Sequence, residues 1–175
     1  MDDRSVIAAQ IGRKPRAFES VACRCPLGFP AITEQRPYDE GGKPFPTGYY
    51  LTCPHIVSAV ARLEAAGGVE RWSEAVRSSY RLRWSLMRAN KKQRRLRKKL
   101  ARSTDKTIDR GASLKLGIAG SRRGQNLKCL HAHVAFALAN PGYTLGERIT
   151  AEIDSLWPAD CEARERCRSG SKPRS

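Results

Sequence analysis

The sequence predicts an α+β fold: a small antiparallel sheet of two or three strands near the N-terminus, packed with about five helices, one of them long and basic. Residues 17–52 alternate short extended runs with proline- and glycine-rich turns, the texture of a sheet. From Pro54 onward apolar residues recur at steps of three and four, the period of a helix face. A chain of 175 residues can bury one core but is short for two. Residues 1–158 are therefore expected to form a single domain.

Each element has its own signal. A helix over 3–11 carries Val6, Ile7 and Ile11 and stops at Gly12 and Pro15. Strands are expected over 18–23, 31–34 and 45–52, separated by Pro26-Leu27-Gly28-Phe29-Pro30 and Asp39-Glu40-Gly41-Gly42-Lys43-Pro44. Pro54 suits a first helical turn, where its missing N–H would be unpaired anyway. Ile56, Val57, Val60 and Leu63 give that helix an apolar stripe, and Gly67-Gly68 ends it.

The next helix is predicted over 69–103, a stretch without proline or glycine. At about 1.5 Å per residue it would be roughly 50 Å long. Trp72, Val76, Tyr80, Trp84 and Met87 form one face able to pack. Past residue 88 only Leu96 and Leu100 continue that stripe among many cations. The second half is thus expected to project from the body and to fray, because like charges four residues apart repel.

Residues 104–126 read as a polar loop, and 127–139 as a helix closed by Asn140-Pro141-Gly142. Thr144-Leu145-Gly146-Glu147 matches a capping box that opens a last helix. Ile149, Ile153, Leu156 and Trp157 face inward from it, and Pro158 ends it. Residues 159–175 are poor in apolar side chains and are expected to be a disordered basic tail.

Charge is localised. Residues 70–128 hold 19 Lys/Arg against four acids, a net of +15 out of +16 for the whole chain. A concentrated field of that sign attracts phosphate polyanions. No run approaches the roughly 18 apolar residues of a membrane span. The start, Met1-Asp2-Asp3-Arg4, is acidic where a signal peptide would be basic. A cytoplasmic protein is expected, in which thiols stay reduced, so six cysteines point to metal or thiol chemistry before disulfides.

Three short stretches hold most of that chemistry: Arg24-Cys25-Pro26, Thr52-Cys53-Pro54 and Lys128-Cys129-Leu130-His131-Ala132-His133. If the third is helical throughout, Cys129 and His133 form an i, i+4 pair, while His131 faces nearly the opposite way. If the helix starts only after Cys129, His131 becomes the better ligand. Cys53 stands at a predicted helix N-cap, which favours a thiolate, and Cys25 opens a tight turn. Cys25, Cys53, Cys129 and His133 together would make a Cys3His set that zinc accepts tetrahedrally. The alternatives are a reactive thiol with a histidine, or simple core packing, a common role of free cysteine. Cys23, two residues from Cys25, should point to the other strand face, and Cys161 and Cys167 lie in the expected tail, where they read as incidental. His55 is an alternative to His133, otherwise exposed.

The ordered motifs Arg24-Cys25-Pro26, Gly28-Phe29-Pro30-Ala31, Pro44-Phe45-Pro46-Thr47, Tyr50-Leu51-Thr52-Cys53-Pro54, Ser58 to Glu64, and Lys128-Cys129-Leu130-His131-Ala132 resemble the bacterial family called domain of unknown function 501. The resemblance runs from about Ile7 to Trp157. It implies a cytosolic bacterial protein of one domain and lends no activity. It marks Cys25, Cys53, Cys129 and His131 as motif positions and so raises the standing of His131.

The first functional expectation is a zinc-stabilised protein that binds nucleic acid, structured RNA favoured over a DNA sequence, through Arg88, Lys91, Lys92, Arg94, Arg95, Arg97, Lys98, Lys99, Arg122 and Arg123. No base-reading motif is present, so phosphate contact is expected. The alternative is a Cys/His or zinc-dependent enzyme acting on a phosphate-containing substrate, with the loop 117–124 as its anion site. A third is a protein partner docked on the long helix, although its four-residue steps do not sustain coiled-coil heptads.

Overall fold

The computed structural model describes residues 2–101, 108–122 and 126–168. Strands β1 (Phe18–Arg24), β2 (Pro30–Gln35) and β3 (Tyr49–Leu51) form one antiparallel sheet in that order. Val21 faces Thr33, and Ile32 faces Leu51. The central strand is covered on both sides, with Ala31, Ile32 and Thr33 all fully buried. β3 is shorter than the run 45–52, because Pro44 and Pro46 offer no N–H to a ladder. Helix α1 (Asp3–Ile11) is capped by the Asp2 side chain, which accepts from the Ser5 amide.

Helices α2 (Pro54–Ala65), α3 (Gly68–Ser78) and α4 (Tyr80–Leu100) follow the sheet, and α5 (Leu130–Ala139) and α6 (Thr144–Thr150) complete the core. α5 is buried on nearly every face from Leu130 to Ala137, as a helix that is apolar all round should be. Its Phe136 meets Tyr49 and Tyr143 edge-on at 5.6 and 5.5 Å. The aromatic content of this core is small, so these two contacts join sheet, α5 and α6 at one point. α6 stops at Thr150, and Ile153 is buried beyond it outside the helix.

The predicted helix over 69–103 is two helices. Ser79 is extended at φ −119° and its hydroxyl accepts from the Leu82 amide, so it caps α4. Serine offers the backbone this local partner and thereby breaks a helix without proline or glycine. The break also changes which face packs. Leu82, Leu86, Ala89, Gln93 and Arg97 are buried, whereas Tyr80, Trp84 and Met87 are 71%, 48% and 50% exposed.

Nor does the second half of α4 project. Gly48 lets the Gln93 carboxamide approach so closely that a Cβ there would stand 2.6 Å from its oxygen. Arg97, expected among the phosphate contacts, is fully buried. Its Nε donates to Ser113 O at 2.9 Å and its Nη1 to Phe45 O at 2.6 Å. The tail is also partly ordered: α7 (Arg164–Arg168) lies against α1, with Cys167 only 5% exposed. Among the described residues there are seven α-helices rather than about five, and the two additions are the Ser79 break and α7.

Candidate functional site

The four proposed zinc ligands do not converge. Among the described residues, the one set of three or more possible ligands within 4.8 Å of one another is Glu64, Cys129 and His131. Cys25 and Cys53 instead line a separate apolar pocket. His133 is 2% exposed inside the core, and its Nδ1 lies 2.7 Å from the Tyr143 hydroxyl. The physical reason is the helix start. Cys129 is the extended N-cap of α5, at φ −162°, so the i, i+4 pairing with His133 never forms.

Three backbone accidents build the trio. α2 delivers Glu64 at its last turn, and a Glu64 oxygen accepts from the Leu130 amide at 2.5 Å, satisfying an open N–H at the start of α5. The same oxygen is 3.2 Å from His131 Nδ1. His131 Nε2 lies 3.1 Å from Val57 O, so Nε2 carries the proton that donates there. Nδ1 is thereby turned toward Cys129 and Glu64. A hydrogen bond with the Cys129 sulfur, and then the Glu64 charge, raise His131 to about 9 against burial that lowers it. The imidazole is therefore charged at neutral pH, and the stability it contributes is fully present below about 6.5 and lost as pH rises through about 9.

Such a trio offers one sulfur, one nitrogen and one oxygen to a borderline divalent ion, with the histidine oriented by a backbone carbonyl as metal-bound imidazoles usually are. The Glu64 and His131 side chains are 28% and 25% exposed, so a fourth position faces solvent. Without a metal the same atoms form a thiol beside a cationic imidazole. Sequence reasoning placed Glu64 only within a motif. A carboxylate at the end of one helix gave no sign that it would cap another 66 positions away.

His133 has the opposite electrostatics, and a prediction follows. Burial alone pushes it down to about 4 from an ordinary 6.5, so the folded chain keeps it neutral while the unfolded chain protonates it below 6.5. Stability should fall as pH drops from about 6.5 to about 4, by on the order of 3 kcal/mol from this residue. Urea unfolding at pH 7 and pH 4.5 reads this loss, and His133→Gln should remove most of it. Equal pH dependence in both proteins would contradict the assignment.

The cationic surface is organised by α4. Tyr80, Trp84, Lys91, Arg95 and Lys98 fall within about 60° of one another around the helix axis. Arg88, Lys92 and Lys99 are exposed beside them, and Arg94 is half-buried. A groove of about 360 Å³ beside this face is lined by Tyr80, Arg83, Trp84, Met87, Arg94 and Arg122. α4 holds ten Lys/Arg and no acid, and among the described residues no carboxylate is paired with any of them. Arg123 lies outside the described residues. The aromatic residues were legible, but as core.

An α+β protein with a half-buried Cys–His–Glu trio and a cationic, aromatic helix face is thus defined. The chain belongs to the family described as protein of unknown function (DUF501), which matches residues 21–151. Neither a curated protein nor a solved structure shows significant similarity to it. Among the described residues no helix is long and apolar enough to cross a membrane.

Proposed function

We propose that the protein is a cytoplasmic nucleic-acid-binding protein that takes single-stranded RNA along the exposed face of α4. The observation that carries this reading is the exposure of Tyr80, Trp84 and Met87 on the ridge that continues into Lys91, Arg95 and Lys98. Aromatic faces next to a cationic track suit unstacked bases, which stack while their phosphates are neutralised. A duplex keeps its bases paired and leaves such platforms idle, and single-stranded segments are more abundant in RNA. The test is equilibrium binding to single-stranded RNA, single-stranded DNA and duplex RNA across a salt series. Affinity for the single-stranded RNA should be highest and should fall linearly with salt on logarithmic axes. An affinity indifferent to salt contradicts the reading.

A second reading is favoured by the trio: a metal-dependent centre acting on a phosphate-containing substrate. Support comes from the fixed Nδ1 of His131 facing Cys129 and Glu64, with the exposed cations Arg122 and Lys128 carried on the segment that leads into Cys129. Zinc bound there would supply a Lewis acid and an ionised water. Cys129→Ser should then lose one equivalent of metal in elemental analysis of the purified chain. Retention of all metal in that variant rules this centre out.

A further inference from the structure

We propose that Cys25, Cys53, Cys161 and Cys167 form a four-thiolate site for a zinc-type ion, which fastens the C-terminal segment to the body of the domain. These four sulfurs come from three remote parts of the chain, yet all line one cavity of about 110 Å³. The site is distinct from the Cys129 trio and independent of RNA binding.

Each cysteine is held by a different local device. Cys25 opens a tight turn in which the Gly28 amide donates to Cys25 O at 2.8 Å, and Gly28 takes φ +84°, a conformation that glycine adopts freely. Cys53 is the buried N-cap of α2, and its side chain makes no capping hydrogen bond. Cys167 sits on α7, and the Gln10 carboxamide nitrogen donates to its sulfur at 3.3 Å. Cys161 lies at the start of the segment that carries α7.

The meeting of four cysteines from remote segments at one cavity sets the site apart from inert packing. Cys53 and Cys167 are 6% and 5% exposed. A soft dication suits a set of sulfurs, taking each one after its thiol proton is released to solvent. Gln10, itself 4% exposed, adds a second mark: its Oε1 has no hydrogen-bond partner in the same interior.

No three of these sulfurs lie within 4.8 Å of one another, whereas sulfurs about 2.3 Å from zinc are roughly 3.8 Å apart. Binding therefore draws the segment 159–168 inward across the cavity. That segment lies beyond the residues matched by the family and meets the body through α1.

The experiment uses the full chain, purified reduced and loaded with zinc or cobalt. Elemental analysis should give one equivalent that Cys161→Ser and Cys167→Ser each lose, while Cys129→Ser and His131→Ala keep it. Cobalt should show the visible and sulfur-to-metal absorption of a tetrahedral all-sulfur centre. Chelation should speed tryptic cleavage at Arg164, Arg166 or Arg168 by at least tenfold, with the helical circular dichroism of the body retained. Metal lost with Cys129→Ser but kept in Cys161→Ser and Cys167→Ser overturns the assignment. So does cleavage at an equal rate with and without metal, or recovery of these cysteines as a disulfide that excludes metal.

Discussion

Arg97→Ala should lower the stability of the domain by roughly 3–5 kcal/mol, the usual result of removing one partner from a buried charged network. The guanidinium is fully buried and joins α4 to two loops through Ser113 O and Phe45 O. Nearby, the Tyr38 hydroxyl donates to Asp109 at 2.7 Å, and the Ser113 amide donates to the same carboxylate at 2.8 Å. Those hydrogen bonds hold Asp109 below its ordinary range against the burial that raises it, so a carboxylate faces the arginine's field. Truncation leaves two interior carbonyls without donors and removes that counter-charge. Since domains are stable by only about 5–15 kcal/mol, the loss is a large fraction of the whole. Denaturant midpoints read it directly. Arg97→Lys should fall between wild type and alanine, because it keeps the charge without the fork. Arg95→Ala, two residues earlier and exposed, should stay within about 0.5 kcal/mol of wild type. An Arg97→Ala protein as stable as wild type would mean that α4 is not clamped.

The second large effect is on RNA affinity, and it divides into two signatures. Reversing Lys91, Arg95 and Lys98 to glutamate should remove about three phosphate contacts. The slope of log affinity against log salt should then flatten by about 2, at roughly 0.7 per contact for a single strand. Trp84→Ala should instead weaken binding by about 1–3 kcal/mol per stacked base and leave that slope unchanged. A purely electrostatic surface would show the first signature without the second. A protein-docking face would show neither with RNA.

Residue patterns carried much of the architecture and less of the site. The sheet was legible because Pro26, Gly28, Pro30 and the segment Asp39 to Pro44 punctuate it. α2 was legible from Pro54 and the stripe Ile56, Val57, Val60. The Ser79 break was hidden because serine competes with a helix through one side-chain hydrogen bond, a tertiary outcome that composition does not announce. That one break rotated Tyr80, Trp84 and Met87 out of the expected core and turned Arg97 into it. The His131 assignment depended on a single residue of helix register at Cys129. Glu64, Cys161 and Cys167 reached their places through contacts between remote segments, which local spacing does not encode.

The most direct measurement is the fluorescence of Trp84 as the sole tryptophan, in a chain carrying Trp72→Phe and Trp157→Phe, during titration with a single-stranded oligoribonucleotide. Stacking of a base on the α4 face predicts saturable quenching at low salt that is reversed at high salt and abolished by Lys91→Glu, Arg95→Glu and Lys98→Glu together. Unchanged emission, with RNA bound or unbound by an independent measure, would contradict the account.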